Sequence, residues 1–203
     1  MNHLSYTRGH QDKPLLAMTV GDAFDATVER FPQREALVVR HQNLRYTWAE
    51  LAEVVDGIAR AFLALGLRPG DRLGIWAPNC AQWCVTQFAS AKVGAVLVNI
   101  NPAYRVNELE YALKQSGCRW LVCADAFKTS DYHGMLADLL PELGQGRPGE
   151  LSSERLPELR GVISLSEQAP AGFLRWSQLA PLGAAISATE LAERQALLQF
   201  DEP

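Results

Sequence analysis

Cysteine is too scarce in this chain to build a fold from disulfides: four residues in 203 fall well short of a cross-linked scaffold. Cys80 and Cys84 stand four apart, Cys118 and Cys123 bracket a short apolar run, and no Cys-x-x-Cys occurs. His3, His10, His41 and His133 lie far from them in sequence. Zinc needs four converging ligands at familiar spacings, so no metal site is expected, and the cysteines read as reduced thiols of a cytoplasmic protein. Charge of one sign is missing too. Nineteen Lys and Arg against twenty-three Asp and Glu leave −4, which disfavours nucleic acid or an anionic membrane as the main partner. No run is long enough to span a membrane. Leu73 to Ala91 carries no charge, but Pro78, Asn79, Gln82, Gln87 and Ser90 interrupt it and Lys92 closes it, whereas a span wants about 20 predominantly apolar residues. Residues 1–18 include Arg8, Asp12 and Lys13 without a signal-peptide apolar core and read as an N-terminal arm.

Contiguous catalytic signatures are absent as well: no G-x-x-x-x-G-K-[ST], G-x-S-x-G, H-E-x-x-H or glycosylation sequon occurs. A literal G-x-G-x-x-G stands at Gly144, Gly146 and Gly149. The dinucleotide fingerprint needs those glycines between a strand and a helix N-terminus. Here Met135–Leu143 reads as helical, Pro148 sits inside the motif and no helix opens at Glu150, so the expectation is a loop. Asp71, after Pro69-Gly70, is either a carboxylate at a strand start or a turn residue bonding its own backbone, the commoner role. Trp76 and Trp83 line either an apolar pocket or the core. Tyr104 and Arg105 fall where a strand's carboxyl end meets the next helix, the edge at which open α/β sheets bind ligands. The residues by themselves therefore assign no catalytic, cofactor-binding or metal-binding role.

What is present is a regular alternation of elements in a chain 48% apolar and 21% charged, ordinary globular values. Thr19, with Asp22 three residues on, opens a helix that Pro32 stops. Glu35–Arg40 and Asn43–Thr47 form a hairpin across His41-Gln42. Thr47-Trp-Ala-Glu50 is a capping box, after which Trp48, Leu51, Val55, Ile58 and Phe62 make one apolar stripe up to Gly66. Strands are expected at Arg72–Ala77, Ala95–Ile100, Cys118–Cys123 and Gly161–Leu165, and helices at Cys80–Val93, Asn107–Ser116, Asp131–Leu140 and Ala188–Gln199. Strands separated by helices of this length predict an α/β fold: a mostly parallel sheet with crossover helices on both faces. The apolar run Ala95–Val98 fits a sheet covered on both faces. The chain then divides into the arm, an α/β subdomain over 19–140, a surface loop or insertion over 141–158, and a final strand and helix over 159–203.

Several segments come in a familiar order: Arg45-Tyr-Thr-Trp-Ala-Glu-Leu51, Ala64-Leu-Gly-Leu-Arg-Pro-Gly-Asp-Arg72, Gly74-Ile-Trp-Ala-Pro-Asn79, Lys92-Val-Gly-Ala-Val-Leu-Val-Asn99, Asn101-Pro102, Glu108-Leu-Glu-Tyr-Ala-Leu113 and Ser116-Gly117. The series resembles the N-terminal region of the adenylate-forming superfamily, and most of all the medium-chain fatty-acyl-CoA synthetases, firmly over residues 19–125 and loosely beyond. The resemblance implies the incomplete N-terminal part of a synthetase large domain. It implies an ATP-dependent ligase that converts a carboxylate to an acyl-adenylate and then to an acyl-CoA. ATP, Mg²⁺ and CoA are implied for the full-length parent and none for this chain. The partners implied are the remainder of the same enzyme and a medium- or long-chain carboxylic acid. The family's Ser/Thr/Gly-rich phosphate loop, its Thr-Glu and Asp motifs and its C-terminal Lys match no position here; Lys128-Thr-Ser130 and Leu151-Ser-Ser153 have neither the glycines nor the following Lys. The expectation is thus a chain that stops short of the chemistry, is inactive alone, and exposes apolar surface that the remainder would cover. A stand-alone acyl- or protein-binding module of the same fold is the alternative.

Overall fold

A computed structural model describes residues 9, 12 and 14–202. The elements follow from local sequence signals. Helix α1 (Val20–Arg30) is capped by the Thr19 hydroxyl, which accepts from the Asp22 N–H at 3.1 Å. Strands β1 (Glu35–Val39) and β2 (Leu44–Thr47) pair antiparallel across a turn at Arg40–Gln42, with Asn43 at φ 52°. The capping box at Thr47 and Glu50 opens α2 (Trp48–Ala64), whose Leu51, Val55, Ile58 and Phe62 are buried. Each such side chain contributes roughly 1.5–3 kcal/mol of hydrophobic stabilisation. Gln42, in the hairpin turn, caps the next helix from a distance: its Oε1 accepts from the Ala81 N–H at 2.7 Å, at an end where Cys80 makes no cap of its own.

The main sheet holds β3 (Arg72–Trp76), β4 (Val96–Asn99), β5 (Cys118–Cys123), β8 (Gly161–Ser164) and β9 (Leu174–Arg175), all parallel, in the order β4-β3-β5-β8-β9. Between them run α3 (Ala81–Val93), α4 (Val106–Ser116) and α5 (Tyr132–Leu139), with a two-residue ribbon of β6 (Ala126–Phe127) and β7 (Ser130–Asp131) before α5. The chain finishes with α6 (Leu179–Gly183) and α7 (Ala188–Ala196). Because β3 leads outward to β4 and β4 leads back across β3 to β5, right-handed crossovers put α3 and α4 on opposite faces. The packing agrees: α1, α6 and α7 gather around the packed pair α2 and α3, while α4 packs with α5. The fold is thus α/β, with helices on both faces of a mostly parallel sheet.

Two details go beyond the sequence reading. The run Ala95–Val98 lies at an edge of the covered sheet. β4 is the outermost strand of the sheet, and Val96, Leu97 and Val98 are only half-buried because nothing pairs on their far side among the described residues. In the irregular segment 141–158, Leu143, Leu151 and Leu156 are buried in the core. Of its glycines Gly149, at φ 89°, has a packing reason: a Cβ there would lie 3.2 Å from Trp120, as one on Gly161 at the start of β8 would lie 2.6 Å from the same indole. The arm over 1–18 falls mostly outside the described residues, as do His3 and His10.

The helical layer is held by one cation. Lys92 Nζ lies 2.6 Å from Asp25 of α1 and 2.6 Å from Asp56 of α2, with its side chain only 4% exposed, and 5.5 Å from the Phe24 ring centre. The carboxylates are about two-fifths exposed, at 39% and 43%, so water moderates the loss when the ammonium is removed. Lys92→Met is expected to destabilise the chain by about 1–3 kcal/mol. Urea denaturation would show a lower midpoint with an unchanged slope, and an unaltered midpoint would remove this clamp from the account.

Candidate functional site

The connections leaving β3 and β5 depart in opposite directions, so the crevice between the carboxyl ends of these strands is the topological switch point, where open α/β sheets take ligands. Here the crevice is filled by the protein itself. The Trp76 indole, at the end of β3, stacks on the Tyr132 ring at 3.5 Å between centroids and 8° between planes, and both side chains are fully buried. Trp76 Nε1 donates to the Asn101 carbonyl at 3.2 Å, and the Tyr132 hydroxyl donates to the Pro102 carbonyl at 2.6 Å. The stack therefore anchors the loop after β4. Burial pushes the Tyr132 phenol up to about 12, with Cys123 adding to the shift, which keeps the hydroxyl a donor at any physiological pH. Burial likewise drives the Cys123 thiol far up, so it is no nucleophile.

Beside the stack, His133 Nε2 lies 2.9 Å from Ser164 Oγ at the end of β8, and its ring packs on Phe173 at 4.9 Å. The distance is that of a base and a nucleophile. Ser164, however, is completely buried, and its oxygen also accepts from the Ser166 N–H at 3.0 Å. With no route to a substrate, the pair positions the exit of β8. Burial lowers the His133 pKa, with Asp125 and Asp131 partly opposing it.

The residues singled out in the sequence separate clearly. Trp76 belongs to this crevice. Tyr104 and Arg105 sit on its rim, half-buried and exposed respectively, with the Arg105 guanidinium donating to Ser130 Oγ at 3.0 Å. Asp71 is a turn residue: its carboxylate accepts from the Arg68 N–H at 2.8 Å, with Arg119 3.6 Å away. Trp83 is half-buried against the core on α3. Cys80 and Cys84 are partly exposed thiols whose pKa values burial raises, while Cys118 is buried and His41 is exposed. Gly144, Gly146 and Gly149 form no phosphate cradle, since Gly144 lies within a 3-10 turn (Pro141–Gln145), no strand leads into the glycines and no helix follows them. Among the described residues no three His, Cys, Asp or Glu side chains converge as metal ligands, and no helix is long and apolar enough to cross a membrane. Tyr132, His133 and Ser164 were not singled out from sequence. The signal available was the cap of α5 at Asp131, which follows β5 after the short β6–β7 ribbon.

The AMP-binding enzyme family matches residues 24–181, which is most of the chain. The chain belongs to that family. The medium-chain acyl-CoA ligase ACSF2, mitochondrial, of Rattus norvegicus is 44% identical over 200 residues, covering 98% of this chain and 32% of its own length. The chain therefore spans about a third of the curated relatives it matches. Among solved structures, the anthranilate CoA ligase AuaEII in complex with anthranoyl-AMP superposes with a TM-score of 0.65 at 20% identity, covering 84% of this chain and 29% of that one. The N-terminal domain of FACL13 from Mycobacterium tuberculosis gives 0.58 at 21% identity, over 91% and 38%. At these identities the two structures share the fold. Within the AMP-binding family, then, this chain supplies an α/β sheet whose switch point is closed by an aromatic stack.

Two outcomes test that description. Tyr132→Phe removes one donor and leaves the carbonyl of half-buried Pro102 without it, a cost of about 1–3 kcal/mol; chemical denaturation should show it, and no loss would mean the carbonyl has another partner. Because the folded His133 pKa is depressed, the unfolded chain binds the extra proton, so His133 costs stability as pH falls below its usual 6.5. The cost is complete below the lowered folded value. Comparing melting temperatures at pH 7 and pH 5, His133→Gln should narrow the difference, and an unchanged difference would refute the assignment.

Proposed function

We propose that this chain is the amino-terminal part of an ATP-dependent acyl-CoA ligase acting on a medium- or long-chain carboxylic acid. The observation that carries the proposal is the 44% identity running over 98% of the chain against about a third of a medium-chain acyl-CoA ligase. The residues present do not fit nucleotide and Mg²⁺ by themselves. No acidic cluster is available among the described residues, and the crevice that would take a nucleotide is occupied by Trp76 and Tyr132. The phosphate chemistry accordingly falls to the portion that the relatives possess and this chain does not span. The role of this third is to scaffold the carboxyl edge of the sheet and hold the loop from Asn101 to Arg105. Four free thiols support a reducing compartment, and we place the protein in the cytoplasm on that basis; the rat relative's name carries the word mitochondrial.

The test is ATP–pyrophosphate exchange with a panel of medium- and long-chain acids, run on the 203-residue chain and on the product of the whole gene. Acid-dependent exchange is expected from the whole product and background exchange from the chain alone. Exchange by the 203-residue chain would overturn the division of labour, and none from the whole product with any acid would overturn the ligase.

A further inference from the structure

A groove of about 440 Å³ opens between the end of α2 and α7. Its apolar wall is Leu63 of α2, Leu67 just after that helix, and Ile186 and Leu197 on either side of α7. Its charges are Arg68, Glu190, Glu193 and Arg194. The turn at Arg68 leads into β3 at Arg72, so the groove lies toward the amino edge of the sheet. The switch-point crevice is at the other edge.

The frame around the groove is tight. Gly183 of α6 lies so near α2 that a Cβ there would meet the Gly57 carbonyl oxygen at 2.5 Å. Arg60 of α2 reaches the link between α6 and α7, its Nη1 donating to the Ile186 carbonyl at 3.5 Å. α7 is fixed to α1 by Gln195, whose Nε2 donates to Asp22 at 2.8 Å and Asp25 at 2.9 Å. Leu67 is buried as the floor, while Leu197 stands 74% exposed at the lip.

The charges in the groove are unevenly matched. Arg194 has a buried Nη1 with no acceptor among the described residues. Neither Arg194 nor Arg68 takes part in an ion pair among those residues. Glu190 stands four residues before Arg194, the spacing at which a helix pairs opposite charges. Its carboxylate is committed elsewhere: Oε2 accepts from the Ser187 N–H at 2.8 Å and from the Ser187 hydroxyl at 2.9 Å. Glu193 is exposed, and adjacent residues on a helix do not face each other. A buried guanidinium nitrogen without an acceptor is costly, and its planar fork of donors matches a carboxylate.

We propose that this groove binds an amphipathic carboxylate, its head on Arg194 with Arg68 assisting and its hydrocarbon tail along the leucines and Ile186. A small inorganic anion would leave the hydrocarbon wall open to water, and a neutral lipid would leave the guanidinium unpaired. An acid bound here touches α2 and α7 and no part of the carboxyl edge, which is the position of an effector and not of a substrate. The inference stands apart from the ligase reading.

Octanoate is the probe, titrated into the 203-residue chain labelled at its leucine methyls. The Leu63, Leu67 and Leu197 methyl resonances should shift together and saturate at one equivalent. Acetate lacks the tail and octylamine carries the opposite charge, so neither should saturate these shifts where octanoate does. Arg194→Gln should weaken octanoate at least about tenfold. Leu197→Ser, at an exposed position, should also weaken it while leaving the denaturation midpoint in place. Arg45→Gln, on the hairpin and paired with Glu35, should change nothing. Octylamine binding as tightly, saturable shifts confined to other leucines, or unaltered octanoate affinity in Arg194→Gln would each overturn the proposal. So would silence of the same methyls in the whole gene product, because the groove would then belong to the remainder of the polypeptide. Binding in a product without acid-dependent exchange would leave this inference standing while the ligase reading falls.

Discussion

A single ammonium group ties the helical layer together. Lys92 reaches from α3 to Asp25 on α1 and Asp56 on α2, and Asp25 in turn accepts from Gln195 on α7. Four helices from distant parts of the sequence therefore meet at one charge. A buried cation is costly unless paired, so the helices have one arrangement that satisfies it. A purely apolar layer of Leu, Val and Phe side chains tolerates sliding and repacking far better. Register among these helices has a consequence beyond stability, because it sets where α7 ends and hence where the backbone emerges beside β4.

On the far end of the sheet the constraint is aromatic. Stacking Trp76 on Tyr132 fills the crevice where a ligand would otherwise lie, yet the polar tips of both rings are spent on the carbonyls of Asn101 and Pro102. The arrangement holds in place a loop that has no regular structure of its own. Tyr104 and Arg105 follow directly, and Arg105 is further held by Ser130. Loops carry chemistry well when a rigid scaffold fixes their position, and this edge has that character without containing a reactive constellation. Membership of the AMP-binding family fits such a division, with one portion supplying geometry and another the reacting groups.

Much of the fold was legible in the sequence because its signals are local. Capping at Thr19 and Thr47, the stripe from Trp48 to Phe62 and the glycines at 66, 94 and 117 mark element ends within a few residues. The periodicity of Leu109 and Leu113, and the apolar run Cys118–Cys123, are equally local. What escaped depends on contacts across the chain. A lone Lys92 in an apolar helix gives no hint that Asp25 and Asp56 converge on it. Val96–Val98 reads as a buried strand because composition reports hydrophobicity and not strand order. The three glycines at 144, 146 and 149 matched a nucleotide motif, whereas the structure uses Gly149 to let a loop lie against Trp120. His133 and Ser164 are 31 residues apart, and only parallel pairing of β5 with β8 joins them.

The apolar run of β4 then acquires a physical meaning. A solvent-facing edge strand is normally disfavoured by selection against aggregation, so an edge made of Val-Leu-Val with no charge is stable in a cell only when something covers it. The interior strands β3, β5 and β8 are buried almost throughout by the chain's own helices and loops. Of the exposed apolar side chains, Val20 and Phe200 line a groove beside this edge, while Leu197 lies in a second groove with Leu63 and Leu67.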